Sequence, residues 1–156
     1  MKKQLLIITA LASGLSAYSQ QIDFNLAGRQ ASQVTEDGYT PWAVATTRHD
    51  SMLLQNSGIT VKIALDDSNT GMTMKSCWWK DGLNKYSKLI SDGVTVCGLD
   101  ASGNTQTIQS GSVKVAVTIS GLSAGKHTLL AYHNDDNGCL PAKLDVYVNG
   151  IKVQTG

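Results

Sequence analysis

From Gly58 to Leu65 the chain alternates, with Ile59, Val61, Ile63 and Leu65 falling on one face and Thr60, Lys62 and Ala64 on the other. A period of two buries one side of an extended strand, whereas a helix would scatter those residues around its circumference. Met72 to Trp79 is the next extended stretch, Asp92-Gly93 opens Val94 to Cys97, Val113 to Ile119 alternates again with Val113, Val115, Val117 and Ile119 on one side, and His127 to His133 is another strand. Between the runs lie turn-forming clusters such as Asp66-Asp67-Ser68-Asn69-Thr70-Gly71 and Gly121-Leu122-Ser123-Ala124-Gly125. Near the end, Leu144 to Val148 and Ile151 to Val153 flank Asn149-Gly150, a pair suited to a type I′ hairpin turn that needs positive φ at both central positions. A helix fits only Asp81 to Ile90, and it would be short. Short strands separated by regular turn signals predict an all-β fold, a sandwich or barrel. The sequence stops three residues after Val153, short of the strands that should complete a closed sandwich. The expectation is the leading module of a longer protein, incomplete at its C-terminal side.

The first residues are of a different kind. Lys2 and Lys3 precede an apolar run from Leu5 to Leu15, and Ala17-Tyr18-Ser19 places small residues where signal peptidase reads them. The run is too short to span a bilayer, which takes roughly 20 apolar residues, and no later segment is long enough either. Residues 1–19 are therefore expected to be a secretory signal peptide, and residues 20–156 one domain that works outside the cytoplasm: secreted, periplasmic or at the cell surface. The whole chain carries 13 Lys+Arg against 12 Asp+Glu; removing Lys2 and Lys3 leaves 11 against 12, a net charge of −1. A near-neutral domain has no electrostatic case for nucleic acid or an anionic membrane.

Export makes disulfides permissible, and the three cysteines Cys77, Cys97 and Cys139 leave room for one bond among them and a third thiol. Equally, all three serve as small buried hydrophobes. No CxxC is present and the histidines are scattered, so no zinc pattern emerges. Calcium needs several oxygen ligands. Asp66-Asp67-Ser68-Asn69 and Asp135-Asp136-Asn137 supply oxygens but lack the EF-hand pattern, and ordinary turn use explains them better. No cofactor is expected. Catalytic signatures are also missing: no GxSxG elbow marks a nucleophile, and no glycine loop marks a phosphate site. With one Glu and eleven Asp, mostly in turns, nothing favours the facing carboxyl pair of a glycosidase.

Sugar binding asks for less: an aromatic face for the ring and planar polar groups for its hydroxyls. Aromatics number nine, so the adjacent pair Trp78-Trp79 stands out. If Met72, Met74, Ser76 and Trp78 face inward, then Lys75, Cys77 and Trp79 face out. Trp79 is then the stacking candidate and Trp78 a core residue; alternatively both are packed. Further candidates are the aromatics Tyr86, Tyr39 and Trp42, with Arg48, Asp81, His133, Asn134 and Asp135 as polar partners. Two bland readings compete here. Tyr39-Thr40-Pro41-Trp42 also suits a proline-pinned turn at the core edge, and His133 to Gly138 a polar loop.

Several phrases carry a resemblance. They are Ile22-Asp23-Phe24-Asn25, Val34-Thr35-Glu36-Asp37-Gly38-Tyr39-Thr40-Pro41-Trp42, Trp78-Trp79-Lys80-Asp81-Gly82, Leu89-Ile90-Ser91-Asp92-Gly93-Val94, Ile119 to Leu130 and Leu144 to Gly150. Together they resemble malectin-like or galactose-binding-like jelly-roll modules at the N-terminus of secreted glycan-degrading proteins of Bacteroidetes-type bacteria. The resemblance implies a non-catalytic, carbohydrate-associated role with polysaccharide or oligosaccharide as partner, beside a downstream lyase or hydrolase domain. The three cysteines depart from that pattern. Two other readings stay open: a spacer or docking module with no ligand, and a polysaccharide lyase or hydrolase in its own right.

Overall fold

A computed structural model describes residues 19–55, 57–66, 70–78, 87–108, 113–131 and 145–155. The expected signal peptide lies outside the described residues, apart from Ser19. The fold is all-β. In chain order the elements are β1 (Ile22–Phe24), α1 (Ala31–Val34), β2 (Thr40–Trp42), β3 (His49–Leu53), β4 (Thr60–Leu65), β5 (Met72–Trp78), α2 (Ser87–Ser91), β6 (Asp92–Leu99), β7 (Thr105–Gln106), β8 (Val115–Ser120), β9 (Val146–Val148) and β10 (Ile151–Gln154). Two antiparallel sheets, β3-β4-β8 and β5-β6-β7, carry most of the strands; β1 and β2 form a short parallel pair and β9 and β10 a hairpin.

The alternation in β4 does what a period of two requires. Val61, Ile63 and Leu65 are buried while Lys62 is exposed. They meet Met74 of β5, Trp42 of β2, Val44 and Leu54 in one apolar core. Phe24 packs on Trp42 with ring centroids 5.1 Å apart. Trp42 is thus a core residue rather than a sugar platform, and its indole Nε1 donates to Asp50 Oδ2 at 3.1 Å. An indole that buries its body and keeps one polar contact pays little for enclosure.

β5 follows the expected facing at Met74 and Ser76, both buried. Thr73, on the face expected to point outward, is buried as well. The cause is the crossing segment before β3, where Thr73 Oγ1 donates to the Thr47 carbonyl at 3.0 Å and Thr47 bridges to Met74.

Two expectations fail. His127 to Ala131, expected in a strand, make no ladder in the described residues, and Leu129 and Leu130 lie exposed. Second, β8 pairs with β4 in register, Val61↔Ile119, Ile63↔Val117 and Leu65↔Val115, so its apolar row continues that of β4. Yet Val115 and Val117 stay 39% and 54% exposed, and among the described strands β8 is at the edge of its sheet. The hairpin forms as expected, with Asn149 at φ 49° and Gly150 at φ 81°. The expected helix survives as α2, at the end of its predicted span; the short α1 was not foreseen.

Candidate functional site

β5 runs antiparallel to β6 with Trp78 opposite Asp92 at one end of the ladder and Met72 opposite Gly98 at the other. The two ends have different chemistry. At the first, Trp78, expected in the core, is half-buried instead. An aromatic face at the edge of a sheet is what stacking on a sugar requires. Trp79, Asp81 and Tyr86, which follow it in sequence, lie outside the described residues, as do His133, Asn134 and Asp135. Tyr39 is half-buried.

Arg48 belongs to the other end. Its Nη1 donates to the Met72 carbonyl at 3.0 Å and its Nη2 to the Asp66 carbonyl at 3.2 Å. The guanidinium joins the end of β4 to the start of β5. Six strand steps separate Met72 from Trp78, or roughly 20 Å. Arg48 and Trp78 therefore do not converge on one ligand. Near Arg48's anchor lies a shallow cleft of about 290 Å³ whose wall includes Gly71, Met72, Gly98, Leu99 and Gln106. No charged side chain lines it.

The cysteines are separated too. Cys77 stands opposite Gly93 and Cys97 opposite Thr73, so they sit four ladder positions apart. At roughly 3.3 Å per step that exceeds disulfide reach, so these two do not bond to each other. Cys97 is buried, and Cys139 lies outside the described residues. Among the described residues no group of three or more His, Cys, Asp or Glu side chains is placed to hold a metal ion.

Beneath the Trp78 end lies a polar cluster that residue patterns did not reveal. Asp23 of β1 and Asp92 of β6 are 1% and 4% exposed, with Asn25 and Ser91 equally enclosed. Asp92 Oδ2 accepts from the Leu26 amide at 2.9 Å, and Asp23 Oδ2 from the Glu36 amide at 2.7 Å. Asn25 donates to the Val34 carbonyl at 3.3 Å and accepts from Thr35 Oγ1 at 2.8 Å. Burial raises the Asp92 carboxyl to about 7, with the neighbouring Asp23 charge adding to the rise and the Leu26 amide opposing it. Burial raises Asp23 as well, against the pull of the Glu36 amide, Asn25 and Lys88. Three buried oxygens here have no hydrogen-bond partner: Asp92 Oδ1, Ser91 Oγ and Glu36 Oε2. In the sequence Asp23 was one polar residue in a short run, and Asp92-Gly93 looked like the turn that opens a strand. Nothing local tied them, since 69 positions separate them.

No family model, curated protein or solved structure matches this chain.

Proposed function

We propose that this chain is an exported, non-catalytic β-sandwich module that binds or positions glycan for a polysaccharide-degrading partner domain. The observation that carries the reading is Trp78, half-buried at one end of the β5–β6 ladder, with Trp79 next to it in sequence. The leading Lys-Lys, apolar run and small-residue exit support export. The test is retention of the chain from Gln20 onward on affinity gels of plant, algal and host polysaccharides. Retention that falls at least tenfold in Trp79→Ala supports the reading. No retention on any polysaccharide sinks it.

One observation favours a docking module instead. Val117, Leu129, Leu130, Ile151 and Val153 are each more than half exposed, a large uncovered apolar area for one small chain. On that reading Trp79→Ala changes stability and nothing else.

A further inference from the structure

The Asp23–Asp92 cluster has no part in stacking a sugar, yet its construction is unusual. Two carboxyls are buried on strands far apart in sequence, β1 and β6, which meet in the fold. Each uses one oxygen to hold a main-chain amide of the N-terminal segment, Leu26 and Glu36. Asp92's second oxygen is buried with no hydrogen-bond partner among the described residues. Two like charges in such a place cannot both be accommodated, because desolvation and mutual repulsion penalise the doubly ionised form.

Among the described residues the surrounding charges relieve it little. On β1 the facing group is Asp23 itself. After α1 come Glu36, whose Oε2 is also buried without a partner, and Asp37, which is exposed. From α2, Lys88 acts on Asp23, but its Nζ stands 3.7 Å from Asp37 Oδ1 and donates to the Ser32 carbonyl at 3.3 Å. On β5 the residue opposite is Trp78, which carries no charge. Among the described residues no cation touches Asp92.

We propose that Asp23 and Asp92 form a proton-operated latch: one proton held by this buried pair keeps the β1–α1–β2 segment seated on β6, and losing it loosens that segment while the β3-β4-β8 sheet stays folded. The contacts give the direction. With the proton in place, one negative charge is served by two amides and Asn25. Without it, two buried negative charges repel each other across β1 and β6, and the Leu26 amide, which favours the ionised form, offsets only part of that cost.

The test is amide exchange of the wild-type chain across the pH range, corrected for intrinsic rates. Protection of Leu26 and Glu36 is read relative to Val61 and Ile63 of β4. The expected result is a relative loss of about tenfold or more as pH rises from about 5 to about 8. Asp92→Asn, which keeps the acceptor for Leu26 and abolishes the charge, should remove most of that pH dependence. Unchanged relative protection in the wild type, or an Asp92→Asn profile that tracks the wild type, overturns the latch. Should Asp92→Asn fail to fold, a carboxyl-carbon NMR titration of the wild type decides. A midpoint for Asp92 in the ordinary carboxylate range overturns the proposal, and one near neutrality supports it. None of these readouts involves sugar, so the latch and the glycan reading stand or fall separately.

Discussion

Ser76 does the work of a missing strand neighbour. Its Oγ accepts from the Val44 amide at 2.8 Å and lies 3.0 Å from the Val44 carbonyl, fixing that segment to β5 inside the core. Ser76→Ala strands the Val44 amide in an apolar setting, so a loss of roughly 1–3 kcal/mol is expected in urea unfolding. Conversion to Thr, which retains the hydroxyl, should cost less. Asp92 leaves a second single-residue signature. Its folded carboxyl sits at about 7 against an ordinary 3.8, so the folded state binds the extra proton between those values. The stability this contributes is full below about pH 4 and lost as pH climbs through about 7. Thermal unfolding across that window should show wild-type stability falling relative to Asp92→Asn, by roughly 4 kcal/mol at most. Little of this was legible beforehand. A serine on an alternating strand and an aspartate before a glycine are ordinary in sequence, and only burial makes them costly.

The strands divide into those whose pattern sufficed and those that needed a neighbour. β4 was legible because Ile59, Val61, Ile63 and Leu65 keep a strict period of two and find covering partners. The hairpin was legible because its turn chemistry is local: Asn149 and Gly150 both take the positive φ that a type I′ turn demands. The parallel pairing of β1 with β2, Ile22↔Thr40 through Phe24↔Trp42, was not, since parallel strands meet through a long connection that leaves no local mark. Two glycines separate these cases experimentally. Gly121, at φ 82°, ends β8 with its α-carbon against the Gly58 carbonyl, where a β-carbon would clash with backbone. Gly121→Ala should lower the urea midpoint of the whole molecule, by about 2 kcal/mol or more. Gly150, at φ 81°, has open space around it, so Gly150→Ala pays only the conformational cost of roughly 1 kcal/mol. Because among the described residues β9 and β10 pair only with each other, that loss should appear as faster amide exchange in the hairpin, with the global transition unmoved.

Burial is uneven across the molecule. Trp42, Val44, Leu54, Val61, Ile63, Leu65 and Met74 make a dense core, while the row on β8 and the apolar side chains Val148, Ile151 and Val153 of the hairpin stay open. Val117→Lys should therefore change stability by no more than about 0.5 kcal/mol, as at an ordinary surface position. It should also reduce binding of a hydrophobic dye, which reports the uncovered row directly. A large destabilisation would mean that the row is covered in solution. The amino-acid sequence by itself determined the all-β class, the β4 and hairpin strands and the turn between β9 and β10, because backbone geometry and side-chain alternation act over a few neighbouring residues. It also singled out Trp78, but not how much of the indole reaches the surface. The tertiary structure alone decided that Trp42 is core, that Arg48 and Trp78 occupy opposite ends of β5, and that Asp23 and Asp92 share one buried site. Each of those facts depends on desolvation by segments distant in sequence, and desolvation has no local pattern to read.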